Sequence, residues 1–314
     1  MNSTDLSFFS AVAGSGGIGR AALELNTVQS NVTQRIQALE AQLGAKLFDR
    51  SKKGVTLTAA GRQLAPYATR IAELLAEAQH VVQDQAEPAG ELRVGCLETT
   101  AALRLPALVG AFAAACPKVD LGIETGPTQD LVDRVLARRL DGAFVTGPIR
   151  HAALVATPMV DEELVLVAPP HIATRKQLLA LLAAGSVRAL VFRAGCSYRQ
   201  RTSEVLSRRG CVDMRLMEMG TLDGIIGCIA GGVGVALLPR GVVASAATLG
   251  RVALHALDAR ERAAATVFVV RRDAFMFQGL RRFIALAKDT LSVRDTPSHA
   301  DRAGGRRKAC AARA

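Results

Sequence analysis

Six side chains with hydrogen-bonding groups fall within seven consecutive residues near the amino terminus: Gln29, Ser30, Asn31, Thr33, Gln34 and Arg35. Five of them carry no charge, whereas a merely solvated helix face usually carries paired Glu and Lys. Amides, hydroxyls and a guanidinium at the amino end of a helix can bind base edges and the adjoining phosphates. The segment therefore indicates a helix that reads DNA; the alternative interpretation is an ordinary amphipathic surface helix.

A helix over residues 27–43 would position these side chains. Val32, Ile36, Leu39 and Leu43 recur at helical spacing and form one apolar stripe. The stripe would face a core while the polar side chains remain outside.

Two shorter helices are predicted before this helix, around residues 6–12 and 20–25, and a Gly-rich turn joins them. This is a helix-turn-helix arrangement. The first helix has Ser3, Thr4 or Asp5 as its candidate cap. Downstream, alternating apolar residues at 55 and 57 predict a two-stranded wing. Its tip carries three cations suited to backbone phosphates, which are Arg50, Lys52 and Lys53.

Residues 1 to about 62 closely resemble the winged helix-turn-helix of LysR-type transcriptional regulators. One departure is the turn Gly16-Gly17-Ile18-Gly19, where the family usually offers a hydroxyl cap; Gly caps less well, so we expect a softer second helix. The matching residues are Ala21-Ala22, Leu25, Gln29 to Thr33, Ile36, Leu39-Glu40, Leu43-Gly44, Leu47-Phe48, Arg50, Thr56-Leu57-Thr58 and Gly61.

Residues 14–19 also spell GxGxxG, the outline of a dinucleotide-binding turn. The residues before it favour a helix over a buried strand, and no strand ending in Asp or Glu follows about twenty residues later, where a ribose contact belongs. A nicotinamide-dependent oxidoreductase is therefore kept only as an alternative, and no cofactor is expected.

Residues 58–85 predict one long helix with an apolar residue at heptad spacing, namely Leu64, Ala68, Ile71, Leu75, Ala78 and Val82. Pro66 inside it should cause a kink or a delayed start. The seam could pack against its own domain. The family resemblance implies instead a linker helix that pairs two subunits and spaces two recognition helices for an interrupted palindrome.

From residue 91 onward, strands alternate with helices, which predicts a mostly parallel α/β sheet. This part resembles the LysR effector domain, two Rossmann-like lobes similar to those of periplasmic binding proteins. The resemblance implies chain crossings near 145–147 and 160–163 and a return near 262–267. The matches include Leu92 to Gly95, Leu105-Pro106, Pro117, Gly126, Leu131, Leu140-Asp141, Glu163 to Val167 and Gly232 to Pro239.

Ligands of open α/β folds bind beyond the carboxyl ends of strands, against helix amino termini. Three loops rich in hydroxyls and guanidiniums follow predicted strands, and donors of this kind suit a small carboxylate. In the family these loops and a segment matching residues 219–221 border the effector pocket. Simple helix capping is the alternative role for each hydroxyl. The predicted effector-binding residues are Thr99, Thr100, Thr128, Arg193, Ser197, Arg199 and Thr221.

Composition limits the compartment and the chemistry. The 314 residues carry a net charge of +11 and are half hydrophobic, so the chain should be globular and is compatible with a nucleic-acid partner. No long apolar run or signal peptide is recognised, which favours the cytoplasm. The six cysteines form no CxxC pair, so no metal site is expected, and Cys196 with Cys211 is a candidate redox pair. No catalytic motif competes, so the chain is not expected to be an enzyme.

The sequence is therefore identified as a member of the LysR-type family, with a small-molecule effector bound between two lobes. The expected partners are double-stranded DNA with an interrupted palindrome, a further copy of the chain as dimer or tetramer, and RNA polymerase, but no membrane. A solute-binding protein is a further alternative. The predicted domains are a winged helix-turn-helix over 1–62, a linker dimerisation helix over 58–87, an effector-binding domain over 91–290 (lobe I 91–161 and 266–290, lobe II 162–265) and a disordered basic tail over 291–314.

Overall fold

The computed structural model describes residues 1–51, 54–83, 88–184, 186–211 and 213–291. It contains two compact units, one over Met1–Gly90 and one that begins at Glu91. None of the described helices combines the length and the apolar character that crossing a lipid bilayer requires. The predicted basic tail, apart from residue 291, lies outside the described residues.

The first unit contains three short helices, a hairpin and a long helix. The hairpin strands pair antiparallel, with Phe48 opposite Leu57. This is the helix-turn-helix with a wing that the sequence predicts. The elements are α1 (Ser3–Ser15), α2 (Ile18–Glu24), α3 (Gln29–Leu43), β1 (Phe48–Ser51), β2 (Gly54–Leu57) and α4 (Ala59–Gln83).

The start of α1 differs from the prediction. The side chain of Asn2 caps it by accepting a hydrogen bond of 2.8 Å from the backbone N–H of Asp5, so the expectation of Ser3, Thr4 or Asp5 as the cap is wrong. Asn is among the strongest capping residues, and it stands one position earlier than the three candidates. The second helix does begin after Gly17 without a side-chain cap, as expected.

The apolar stripe of α3 forms the centre of this unit. Val32, Ile36 and Leu39 are fully buried against Phe9 of α1. Leu43, the last member of the predicted stripe, is instead 40% exposed, because α3 ends there before the chain turns at a left-handed glycine.

The long helix α4 begins at Ala59 and runs through Pro66, which therefore does not delay its start. Ala68 is buried, and Leu64 and Ile71 pack against the core of the same unit. The heptad seam leaves that core further along, since Leu75 is 45% exposed. The first half of the seam thus packs within its own unit, whereas Leu75 and Ala78 beyond it are exposed.

The second unit is an α/β structure whose elements are β3 (Ala89–Cys96), α5 (Glu98–Leu103), α6 (Leu105–Ala115), β4 (Lys118–Thr125), α7 (Thr128–Leu136), β5 (Gly142–Thr146), β6 (Leu154–Ala168), α8 (Arg175–Ala183), β7 (Ser186–Val191), α9 (Ser197–Arg208), β8 (Asp213–Glu218), α10 (Leu222–Ala230), β9 (Ala236–Pro239), α11 (Arg240–Thr248), β10 (Ala253–Ala256), α12 (Ala259–Arg262), β11 (Ala263–Arg271) and α13 (Gln278–Leu291).

The main sheet is mixed, and the prediction of a mostly parallel sheet is wrong. Its strand order is β10-β6-β11-β5-β3-β4, with β9 also paired to β6, and β7 and β8 form a separate parallel pair. β3 and β5 are parallel, whereas β11 runs antiparallel to both β5 and β6. The reason is that β6 and β11 carry the chain in opposite directions between the two lobes and pair with each other on the way.

Several boundaries also differ from the prediction. The sequence predicts one helix over 103–116, which the structure places at Leu105–Ala115 as α6, and a second over 202–209, whereas α9 already begins at Ser197. Five short elements were not predicted from the sequence, namely α5, α8, α11, α12 and β10.

Each lobe has its own core. In the first lobe, Phe112, Phe144, Phe268 and Phe283 pack together as a fully buried aromatic cluster. In the second lobe, apolar residues of β6, β7 and β9 are buried beneath helices on both sides. Residues at or just after the carboxyl ends of β3, β4, β5 and β7 come together where the two lobes meet.

Candidate nucleic-acid interface and candidate ligand cleft

The first turns of α3 present polar side chains outward. Gln29 and Ser30 are exposed and Asn31 and Thr33 half-buried, while Val32 between them is fully buried. No side chain caps α3, whose N-cap residue is Val28, so the positive end of the helix dipole is open to an anion. The exposed end of this helix can therefore offer side-chain amides, hydroxyls and backbone N–H groups to the same partner.

Arg35 has an intramolecular partner that the sequence did not indicate. Its guanidinium donates to Oδ1 of Asp5 at 3.0 Å and lies 5.6 Å from the ring centre of Phe8. The Arg35 side chain remains 39% exposed, whereas the Asp5 side chain is 10% exposed. Arg35 thus ties α1 to α3 and still reaches the surface beside the polar turns.

A buried carboxylate fixes the wing to α3. Glu40 accepts hydrogen bonds from Lys46 Nζ at 2.9 Å and from the backbone N–H groups of Leu47 at 2.8 Å and Phe48 at 3.3 Å. Burial alone would raise the pKa of Glu40, but these bonds outweigh it and hold the pKa below its ordinary value. Of the predicted phosphate contacts, Lys52 and Lys53 lie outside the described residues, as does the side chain of Arg50.

In the second unit, residues of both lobes line a cleft of about 440 Å³. Three of the predicted effector residues, Thr99, Arg193 and Thr221, lie in its wall. Thr221 also caps α10, where it accepts a hydrogen bond of 3.2 Å from the N–H of Gly224. This volume lies within the range of small-molecule sites.

Thr128 and Ser197 meet beside this cleft. The Ser197 hydroxyl donates to Oγ1 of Thr128 at 3.2 Å, and the N–H of Thr146 donates to the same oxygen at 3.3 Å. A backbone hydrogen bond of 3.5 Å, from Gln129 to the carbonyl of Gly195, lies next to them. These contacts connect the first lobe to the second.

The hydroxyls of Thr99 and Thr100 are the two buried side-chain polar groups without a hydrogen-bond partner in the described part of the chain. Both residues lie inside α5, whose N-cap is Leu97, so the prediction that they cap a helix is wrong. Thr99 lines the cleft, whereas Thr100 is not part of its wall.

The charged side chains of the cleft differ in their pairing. Arg134 binds Asp130 at 2.8 Å and also pairs with Glu124. Glu98 and Arg193 form no ion pair or hydrogen bond with any side chain that the structure describes. Arg199, which was predicted to bind the effector, pairs with Glu218 at 2.7 Å and is not part of the cleft wall.

A buried hydrogen-bonded set includes Tyr198, which lines the cleft. The hydroxyl of Tyr198 donates to Oε2 of Glu162 at 3.4 Å, and Arg104 Nε donates to Oε1 of the same carboxylate at 3.4 Å. Burial and the charge of Glu162 raise the pKa of Tyr198, so its phenol stays protonated and can donate. Sequence reasoning missed this set, because its members come from three distant segments.

Cys196 and Cys211 cannot form a disulfide in this fold. They flank the twelve residues of α9, so their Cα atoms are separated by roughly 20 Å at 1.5 Å per residue. Burial raises the pKa of both thiols; backbone hydrogen bonds from Tyr198 and Arg199 only partly offset this at Cys196. These thiols are therefore poor nucleophiles, and the geometry argues against the redox pair considered from the sequence.

A winged helix-turn-helix unit followed by a two-lobed α/β unit with a cleft defines a ligand-responsive transcriptional regulator. Two family models match the chain: the "LysR substrate binding domain" over residues 85–292 and the "Bacterial regulatory helix-turn-helix protein, lysR family" over residues 3–62. The chain belongs to the LysR family of transcriptional regulators.

Known proteins support the same conclusion. The HTH-type transcriptional regulator GltR of Bacillus subtilis is 39% identical over 294 residues, which cover 94% of this chain and 98% of GltR. The fold is similar to that of full-length OxyR from Pseudomonas aeruginosa (TM-score 0.68, 23% identity, 94% of this chain and 96% of that one). It is also similar to that of CbnR complexed with its target DNA (TM-score 0.63, 24% identity, 92% of this chain and 100% of that one).

Proposed function

We propose that α3 binds in the major groove of an operator and that its first turns read the sequence. The observation that supports this is the contrast along those turns, where polar side chains are exposed around a fully buried Val32. Amides and hydroxyls are suited to base edges, and a guanidinium to bases or phosphates. The proposed contacts are Gln29, Ser30, Asn31, Thr33 and Arg35.

The wing would bind the DNA backbone on either side of that groove. Its hairpin is held to α3 through Glu40, which accepts a hydrogen bond from the backbone N–H of Leu47, so the wing is anchored beside the recognition helix. The proposed phosphate contacts are Arg50, Lys52 and Lys53.

The outward half of α4 would pair two subunits. Leu74 is 55% exposed and Leu75 45% exposed, which leaves an apolar surface that a second copy of the helix can cover. A two-fold dimer presents two copies of α3 to an interrupted palindrome, and further contacts between effector units would complete a tetramer. The proposed domains are the winged helix-turn-helix over 1–62, the linker helix over 58–87, of which residues 84–87 lie outside the described part of the chain, and the effector-binding domain over 91–290.

The cleft of the second unit would bind a small carboxylate effector. Arg193, without an ion-pair partner among the described side chains, supplies the charge, and Thr99 and Thr221 supply hydroxyls in the same wall. Thr100, Thr128, Ser197 and Arg199 would border the site and hold its walls in place. Effector binding would then shift the balance between two assembly shapes, and so alter the bend of the DNA and its access to RNA polymerase. The protein would act in the cytoplasm as a regulator without catalytic activity.

Selection of random DNA fragments by the purified full-length protein at physiological salt tests the DNA proposal. We expect an enriched two-fold motif with half-sites about one helical turn apart. Gln29→Ala should weaken or relax recognition within a half-site. Gln42→Ala is the matched control, the same residue type exposed roughly 20 Å further along α3. Absence of any motif, with binding that falls uniformly as salt rises, would contradict specific reading.

A further inference from the structure

The charged side chains in the wall of the cleft indicate that its ligand carries a second charged group besides a carboxylate. Two acids and two arginines line it: Glu98, Asp130, Arg134 and Arg193. Asp130 and Arg134 neutralise each other at 2.8 Å. Glu98 of the first lobe and Arg193 of the second are left, each without an ion pair among the described side chains. The cleft therefore offers one anion and one cation, on opposite lobes.

A buried hydroxyl marks the same wall as a binding site. Thr99 adjoins Glu98, is 3% exposed and lines the cleft, yet its Oγ1 has no hydrogen-bond partner among the residues that the structure describes. Leaving a buried hydroxyl unpaired is unfavourable, and a native structure tolerates it most readily where a bound ligand completes the bond. The hydroxyl can accept from an ammonium or donate to a carboxylate.

We infer that the effector is a zwitterion of free amino-acid size, whose carboxylate binds Arg193 and whose ammonium binds Glu98 beside Thr99. This assignment rests on the proposed function of the cleft as an effector site. A ligand with only a carboxylate could pair with Arg193, but it would bring a second negative charge near Glu98 and leave the Glu98 carboxylate without a counter-charge. A ligand with both charges pairs with Glu98 of the first lobe and Arg193 of the second, and so favours closure of the lobes around it.

Calorimetric titration of the full-length protein with the proteinogenic amino acids tests the inference. For every amino acid, whether or not it binds, the deaminated carboxylate and the decarboxylated amine are titrated as matched probes. We expect at least one amino acid to bind, and removal of either charged group to weaken binding by at least about tenfold, the size of one charge-assisted hydrogen bond.

Variants assign the two charges. Glu98→Gln should bind the amino acid and its deaminated carboxylate with similar affinity, whereas Glu98→Asp should keep the preference for the amino acid. Arg193→Gln should weaken both probes. Asp130→Asn is the matched control, a second acid of the same cleft that already has a partner, and it should retain the preference.

The wild-type protein alone decides between the outcomes, so the test does not depend on how a variant folds. Deaminated carboxylates that bind as tightly as amino acids would overturn the role of Glu98 and leave the carboxylate effector standing. Amines that bind as tightly as amino acids would overturn the role of Arg193. If neither amino acids nor carboxylates bind, both this inference and the proposed effector class are refuted.

Discussion

The ion pair between Arg35 and Asp5 allows the role of Arg35 in DNA binding to be measured separately from its role in stability. Arg35→Ala removes a guanidinium that has two kinds of contact within the first unit, the 3.0 Å ion pair and the ring of Phe8 at 5.6 Å. The cation–π contact contributes about 0.5–1 kcal/mol at a partly exposed site. The Asp5 side chain, 10% exposed, would lose its charged partner at a cost of about 1–3 kcal/mol. We expect the free energy of unfolding to fall by about 2 kcal/mol, well short of unfolding the protein.

Asp5→Asn is the matched variant, because it breaks the ion pair and leaves the guanidinium free to reach DNA. Its unfolding free energy should fall by about 1 kcal/mol or less, since Arg35 is 39% exposed and water replaces part of the lost interaction. Operator affinity, measured by fluorescence anisotropy, should fall by at least about tenfold in Arg35→Ala and stay within about threefold in Asp5→Asn.

Equal losses of operator affinity in the two variants would refute this reasoning. That result would mean that Arg35 acts by holding α1 against α3, and the assignment of Arg35 to DNA would be withdrawn. Denaturant unfolding of both variants and of the double variant measures the coupling between the two side chains directly.

Gly61→Ala should lower the unfolding free energy of the first unit by about 2 kcal/mol or more in urea titrations, because an added Cβ would overlap the carbonyl oxygen of Leu47; an unchanged midpoint would contradict the packing. Glu40 has a pKa below its ordinary 4.5, so the stability it contributes is fully present above pH 4.5 and is lost as the pH falls through its lowered pKa. In Glu40→Gln, the melting temperature should therefore decrease less between neutral and acidic pH than it does in the wild-type protein. Peroxide should not link Cys196 to Cys211, and a disulfide between their peptides in non-reducing mass spectrometry of folded protein would disprove the separation along α9.

The recognition helix was predictable because its signal is local. Val32, Ile36 and Leu39 repeat at helical spacing within eight residues, and the structure buries all three. The pairing of Arg35 with Asp5 was not predictable, because it joins residues thirty positions apart whose contact depends on how α1 packs on α3.

The cleft was predictable in outline only. In α/β folds, ligand-binding loops generally follow strands. This rule correctly predicted that Thr99, Arg193 and Thr221 lie in the wall of the cleft. It could not place Arg199, whose side chain pairs with Glu218 on a later strand. Nor could it find Glu98, because a carboxylate in the first turn of a helix is expected there for the helix dipole alone.

The predicted helix boundaries were wrong where local capping signals are weak. α9 begins after Cys196, which makes no side-chain cap, so nothing in the sequence marked Ser197 as its first residue. The break at Arg104 did have a signal, since Pro106 lies in the first turn of α6, where proline is favoured.

The β-ribbon that joins the lobes determines how they can move. β6 and β11 pair over the whole length of β11, but their register shifts between Thr266 and Val267, where the partner changes from Val160 to Pro158. Met159 is thereby left without a partner, and Pro158 has no N–H to give. A hinge made of loops can respond by ordering or melting, whereas a paired ribbon can only bend and twist.

Bending is easiest where the ladder is interrupted, so we expect any rotation of one lobe against the other to be concentrated at Met159. Its side chain is buried in the first lobe's core, and an unbranched thioether adapts to a changed cavity more readily than a branched side chain. The connection between the lobes is thus a continuous β-ribbon whose hydrogen-bonded ladder is interrupted at Met159. Cleft occupancy would reach the rest of the molecule as torsion of a continuous ribbon and not as a change in order.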